Sequence, residues 1–321
     1  MLNKLVMILI ILTTYACGKT SDNGLTATSK EFIVNGKEIN VNTSVEIEKI
    51  IYRSVVPIVV IKNNEYKLCT GTIVSDKYIL TASHCLLKMN EISFNNNNSI
   101  NSIPTVTNDE IFVILNNKVD INNFKINHYK YAEVENFFVN EKSMLAFFEV
   151  DSPTHDLAKL KKSIYDLAII KLKHKIDYDR KTHVNLIPIN NGYKLNTNKN
   201  IYIAGFGSSY HDAKDINSTK GNLRIANSKI TELDKVRKFF KIKGKPFRSI
   251  YHPYQLYSGT CYGDSGGPAF TLHKNNLYLV GVLYGAVPNK SNYLCGTEYG
   301  SYYMSLTDLE ISKWIHDIIG N

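Results

Sequence analysis

The 321-residue chain lacks the features that mark several protein classes. It has a single long apolar run, at the extreme N-terminus, which excludes a bundle of membrane-spanning helices. Its 8 prolines and 18 glycines are too few for a low-complexity or collagen-like chain. No Cys-x-x-Cys pair occurs, and His84 abuts Cys85 instead of standing at ligand spacing, so no zinc site is expected and no metal ligand is assigned. No internal repeat is present and helical periodicity is rare. What remains is an ordinary globular composition, 44% hydrophobic and 21% charged, in a length able to bury a substantial core. The net charge is +9, from 38 basic and 29 acidic side chains. The densest basic groups, around Lys159–Lys162 and Lys235–Lys245, come without a helix-turn-helix, zinc-finger or stacking-platform motif. They read as solvated faces, and no nucleic-acid partner is expected.

The N-terminus predicts export. Lys4 precedes the apolar run Leu5–Leu12, and the small residue Ala16 stands before Cys17. That order is a signal peptide over residues 1–16, with an apolar core too short to span a bilayer. Thr14-Tyr15-Ala16-Cys17 resembles a bacterial lipobox at its last two positions and departs from it at the first two. Two outcomes stay open: lipidation of Cys17, or plain cleavage after Ala16. The product is expected to be exported and held at the cell envelope by a lipid, its only membrane contact, or otherwise secreted. Residues 17–32, polar and rich in Ser and Thr, predict a flexible tether or propeptide. Setting Cys17 aside leaves Cys69, Cys85, Cys261 and Cys295, an even number suited to two disulfides in an exported chain. Four cysteines allow three pairings; joining nearest neighbours would close loops of 16 and 34 residues.

From about residue 31 the chain is a series of short β-like runs split by Asn, Gly, Asp and Lys. Val55–Ile61, the strand-turn-strand text of Thr72–Thr81, Glu110–Leu115, Leu167–Leu172, Asn200–Ala204, Leu277–Leu283 and Tyr302–Ser305 are the clearest. Such spacing predicts an all-β barrel or sandwich. Two helices are expected. One lies near Ile47–Arg53. The other closes the chain, capped by Thr307 or Asp308, with Ile311, Trp314, Ile315, Ile318 and Ile319 on one face and Gly320 at its stop.

Three segments carry chemistry. Gly263-Asp264-Ser265-Gly266-Gly267-Pro268 surrounds a serine with glycines that let the backbone turn tightly and aim N–H groups at one spot. A serine hydroxyl is a weak nucleophile and needs a base beside it. Thr81-Ala82-Ser83-His84-Cys85 places an imidazole at a strand end, where a base can face a cleft. Tyr165-Asp166-Leu167-Ala168-Ile169-Ile170 heads an apolar strand with an acid that can orient a histidine. Asp156, ten residues earlier, sits before Lys159, Lys161 and Lys162 and is a poorer head for a buried strand. The order His…Asp…Ser is that of the chymotrypsin arrangement.

With these motifs the chain resembles the trypsin/chymotrypsin-like serine peptidases of the bacterial branch. Ile33-Val-Asn-Gly36, Cys69-Thr-Gly-Thr-Ile-Val74, Leu186-Ile-Pro-Ile189 and Ala204-Gly-Phe-Gly207 match further stretches of that family. The resemblance implies two antiparallel six-stranded β-barrels and a C-terminal α-helix. The expected limits are 33–321 for the peptidase domain, roughly 33–190 and 191–305 for the barrels, and 307–319 for the helix. It implies that His84 is the general base, that Asp166 orients it, that Ser265 attacks, and that the Gly263 and Ser265 N–H groups form the oxyanion hole. It implies the pairings Cys69–Cys85 and Cys261–Cys295, with Cys17 left over to carry lipid.

The resemblance also implies activation between Phe32 and Ile33, the new Ile33 ammonium pairing with Asp264. Phe32 stands where a basic residue is usual. Gly259, Thr260, Tyr284, Ala286 and Gly300 would line the specificity pocket; with glycine at 259 in place of an acid, no preference for Lys or Arg is expected. The stretch from residue 86 to 165 is longer than in compact members, so its Asn-rich part and the segment Phe137-Phe138 to Phe147-Phe148 are expected to form inserted loops. A monomeric peptidase acting on proteins or peptides, needing no cofactor and served by an activating protease, is the reading that follows. The alternative is a lipid-anchored binding protein or adhesin of the same fold with a latent site.

Overall fold

The structure, a computed structural model, describes residues 36–63, 65–88, 93–94, 100–102, 105–140, 165–177, 181–186, 195, 199–208, 221–230, 249–252, 260–286 and 301–320. The signal peptide and tether, Ile33, Asp156, Gly259, Cys295, Gly300 and the side chain of Ala286 lie outside the described residues.

Two sheets hold nearly all the regular structure. In the first, the strands follow the order Tyr131–Ala132, Ile111–Ile114, Val55–Lys62, Glu65–Ile73, Tyr78–Thr81, Ala168–Leu172, Val134–Val139. The two ends of that path are neighbours in sequence, separated by Glu133 alone. Tyr131 and Ala132 pair with Ile114 and Val113, and from Val134 the chain pairs with Leu172 and onward to Ala168. One bent segment thus joins both ends of the path, and the sheet closes into a barrel of six strands. Its interior is filled by β-branched residues such as Val56, Ile58, Ile73, Ile79, Val113 and Ile170, each 0% exposed. In the second sheet the antiparallel path is Lys37–Glu38, Arg224–Lys229, Asn200–Gly205, Pro268–His273, Asn276–Ala286, Ser301–Ser305, Ser249–His252, with Asn185–Leu186 added in parallel to Asn276–Ala286. Residues 37–38 and 185–186 therefore belong to the second sheet, although both fall within 33–190, the span expected for the first barrel.

Each clear β-like run of the sequence is a strand. Of the segment Phe137-Phe138 to Phe147-Phe148 expected as an inserted loop, Phe137-Phe138 lies within the strand Val134–Val139 instead, with Phe137 opposite Ile170 and Phe138 opposite Ile169, while Phe147-Phe148 and Asn95–Asn98 lie outside the described residues. Val-Glu-Asn-Phe-Phe-Val has no period-2 alternation, and its pairing partner lies some thirty residues further along the chain, so tertiary pairing overrides local text.

The helix α1 spans Glu46–Ser54 and turns Ile51 into the core. Its C-terminal carbonyls are held by Lys181, whose ammonium donates to the carbonyls of Tyr52 and Val55, both at 3.4 Å, and to the Asn117 amide oxygen. Burial pushes this lysine down to about 7. The last helix, α2, spans Leu309–Ile319. The Asp308 carboxylate accepts from the Glu310 and Ile311 N–H groups at 3.0 and 3.3 Å, a side-chain N-cap. Ile311 and Ile315 are buried, and Trp314, Ile318 and Ile319 pack against the same cluster. That cluster runs from Val59, Leu68 and Leu80 of the first sheet to Phe270, Leu279 and Met304 of the second, so one continuous core glues the two barrels along a seam.

Candidate active site

The seam is where the three sequence motifs meet. Ala168 stands opposite Thr81 in the barrel pairing. That register carries Asp166, just before its strand, toward the turn Ser83–Cys85 that follows Thr81. Asp166 is 0% exposed and accepts three hydrogen bonds: from Ser83 Oγ at 2.5 Å, from the His84 N–H at 2.9 Å, and from His84 Nδ1 at 2.6 Å. Burial disfavours its charge, but the adjacent His84 ring and the hydrogen bonds from His84 and Ser83 prevail and hold the carboxyl below its ordinary value. With Nδ1 bonded to Asp166, the second ring nitrogen is Nε2. The His84 side chain is 16% exposed, and its backbone carbonyl accepts from the Lys67 ammonium at 2.5 Å.

Ser265 arrives from the other barrel. Its carbonyl accepts from the Thr70 N–H at 2.8 Å and lies 3.7 Å from Cys85 Sγ, next to His84 in sequence. Thr70 Oγ1 donates to the Gly263 carbonyl at 2.8 Å, and the Gly266 N–H donates to Leu283 at 2.8 Å. The serine loop is thus pinned by the first barrel on one side and by its own barrel on the other. Gly263 and Gly266 have φ of +102° and +81°, which L side chains rarely adopt. A Cβ on Gly266 would stand 2.1 Å from Thr81 Oγ1. Among the described residues, the N–H groups of Gly263 and Ser265 donate to no protein acceptor.

Asp264 points away from the cleft into full burial. It accepts from the Gly207 N–H at 2.7 Å and the Cys261 N–H at 2.8 Å. Burial dominates over these bonds and over the charge of Arg224, and pushes the carboxyl up to about 6. Arg224 itself donates to the Gly207 carbonyl at 3.1 Å. This packing explains Ala204-Gly-Phe-Gly207: a Cβ on Gly205 would sit 2.1 Å from Asp264 Oδ1, and one on Gly207 2.4 Å from its Cγ.

Of the expected pocket residues, Thr260 is buried and shares a 2.5 Å hydrogen bond with Ser301, while Tyr284 stacks on Tyr302 at 5.8 Å between centroids. Ala286 and Gly285 lie opposite Ser301 and Tyr302 in the sheet. The motifs assign no site role to Ser301, Tyr302, Ser83, Thr70 or Arg224. Only Ser83 had a visible signal, its place beside His84.

Cys69 and Cys85 form a disulfide that closes a 16-residue loop around the histidine turn, a closure worth about 3 kcal/mol on the loop-entropy model. Cys261 is disulfide-bonded. Cys69, His84 and Cys85 have ligand atoms within 4.8 Å of one another, yet both sulfurs are consumed by the disulfide, so the cluster has no thiolate to offer a metal. Among the described residues no helix is long and apolar enough to cross a membrane.

The Trypsin family model matches residues 45–307, a span that includes His84, Asp166 and Ser265. With that match and the paired β-barrels, the chain belongs to the trypsin family and is a serine endopeptidase acting on protein or peptide substrates.

Proposed function

We propose that this is an exported endopeptidase that cleaves peptide bonds through Ser265, His84 and Asp166. The observation that carries the reading is the 2.6 Å bond from His84 Nδ1 to a fully buried carboxylate, beside a serine loop in which, among the described residues, the Gly263 and Ser265 N–H groups donate to no protein acceptor. Ser265 Oγ attacks the scissile carbonyl carbon as its proton passes to His84 Nε2. The oxyanion accepts from the Gly263 and Ser265 N–H groups. The imidazolium, stabilised by Asp166, gives its proton to the leaving amine as the C–N bond breaks. Water then repeats the sequence on the acyl-enzyme and frees Ser265.

In this reading the chain is anchored by lipid on Cys17, works as a monomer, and carries a second disulfide between Cys261 and Cys295. Cleavage between Phe32 and Ile33 by an activating protease gives an ammonium that pairs with Asp264. The pocket is framed by Gly259, Thr260, Tyr284, Ala286 and Gly300. It offers no carboxylate to a basic side chain, so peptides cut after Leu, Phe or Ala are expected to outpace those cut after Arg in kcat/KM. A strong preference for Arg in a substrate panel would overturn this pocket.

The enzyme reading is tested by a fluorophosphonate probe. The wild-type chain is expected to label and to hydrolyse peptide substrates, whereas Ser265→Ala and His84→Ala do neither. Equal labelling of the Ser265→Ala variant would remove Ser265 from its role. A folded wild-type chain that neither labels nor cleaves after cleavage at Ile33 would favour the binding-protein alternative.

A further inference from the structure

A cleft of about 450 Å³ opens at the outer end of the strand Glu65–Ile73. Tyr66, Phe124 and Tyr129 give it an aromatic wall, and Asp120, Lys125 and His128 stand at its rim. The rings of Phe124 and Tyr129 are stacked, 5.2 Å apart and 9° from parallel, and Tyr66 meets Phe124 at 5.2 Å with a 59° tilt. Phe124 is 5% exposed and forms the floor; Tyr66 is 43% exposed. The rim is organised by Asp120, whose carboxylate accepts from the Asn122 and Asn123 N–H groups and whose own N–H donates to Tyr129 Oη at 2.9 Å.

The strand connects this cleft to the catalytic serine. Thr70, Leu68 and Tyr66 share one face of it. Thr70 bonds the Ser265 and Gly263 carbonyls. Leu68 Cδ2 lies 3.3 Å from where a Cβ on Gly263 would stand. Tyr66 is the next residue on that face, about 13 Å from Thr70 at strand rise. Among the described residues, no strand pairs with Glu65–Gly71 on the side away from Val55–Lys62. Of the strand Glu65–Ile73, only Thr72 and Ile73 pair with Tyr78–Thr81, and Thr70 turns its N–H outward to Ser265. The main-chain groups of Leu68, two residues on, face the same way. An extended polypeptide can add itself to such an edge, whereas a saccharide or small metabolite cannot use it.

Ser265 is bounded by Thr70 on one side and, through Gly266, by Leu283 and the expected pocket around Tyr284 on the other. With the acyl side chain in that pocket, the chain beyond the scissile bond leaves along Glu65–Ile73. We infer that the Tyr66–Phe124–Tyr129 cleft is a substrate-binding subsite that takes an aromatic or large aliphatic side chain about four residues beyond the cut. Both signs of charge at its rim argue against selection of a charged side chain. The inference rests on the peptidase reading above and goes beyond it by giving this enzyme a recognition element on the leaving-group side.

The test uses internally quenched peptides of one sequence, with Phe moved through the second to sixth positions after the scissile bond and Gly at the others. A peptide p-nitroanilide, which has no residues there, is the reference, and rates are expressed per active site titrated with fluorophosphonate. Phe near the fourth position is expected to raise kcat/KM about tenfold over Gly, chiefly through KM. Tyr66→Ala is expected to reduce that gain below twofold, and Tyr66→Phe to retain it. A flat Phe scan with normal p-nitroanilide turnover, or the same gain in Tyr66→Ala, overturns the subsite alone. Absence of both turnover and labelling overturns the peptidase reading and the subsite with it.

Discussion

Asp166→Asn is expected to lower kcat about 10⁴-fold with little change in KM. The carboxamide fits the same space, so the buried site keeps its shape. It nonetheless turns either an N–H or a weaker oxygen toward His84 Nδ1, where the native carboxylate accepts at 2.6 Å. An amide N–H there would require Nδ1 to accept, which moves the ring proton to Nε2 and blocks its use as a base toward Ser265. The imidazolium formed during attack also loses its buried counter-charge. Ser83→Ala removes the 2.5 Å bond to the other carboxylate oxygen while leaving the charge, and is expected to cost one to two orders of magnitude at most. Steady-state kinetics on titrated active sites, with thermal melts as a control for folding, separates the two. Comparable losses from both substitutions would mean that the Asp166 charge is not what the chemistry uses.

The second large effect concerns Asp264. Its carboxyl, raised to about 6 by burial, keeps a proton in the folded chain at pH values where the unfolded chain, near 3.9, has lost it. The uncleaved protein therefore holds this contribution in full below about pH 4. It declines as pH rises through about 6, by about 3 kcal/mol in all. An ammonium from Ile33 reaching the ionised carboxylate would offset that cost. A chain produced to begin at Ile33 is thus expected to show a flatter stability profile between pH 4.5 and 7.5 in urea melts than a chain extended upstream. It is also expected to be at least about a hundredfold more active, because the loop that holds the Gly263 and Ser265 N–H groups is anchored by Asp264. Asp264→Asn should erase both differences. Equal activity of the extended and the Ile33-started chains would remove the activation step from the mechanism.

Much of this protein was legible before any coordinates. The glycine-flanked Ser265, the strand-end His84 and the strand-heading Asp166 were readable because each needs a local backbone setting that leaves a mark in neighbouring residues. The capped amphipathic helix at the C-terminus was readable for the same reason: Asp308 and the apolar positions of α2 are set by contacts within a few residues. The strands Arg224–Lys229 and Val134–Val139 were not, since neither alternates cleanly and each forms because a partner strand is already in place.

The family motifs, the all-β character and the three groups proposed for catalysis are written in short stretches of the sequence. Local propensity and short-range turn chemistry act over a few residues, and those decide such features. Long-range packing sets the rest: residues 131–139 bend from one barrel edge to the other, Ser83 backs Asp166 while Thr70 holds the Ser265 loop, Gly205 and Gly207 make room for Asp264, and Tyr66 meets Phe124 across the mouth of a cleft. Each depends on strand register between segments tens to nearly two hundred residues apart. A shift of one residue turns every side chain to the opposite face, and only the closed packing of the barrels resists that shift.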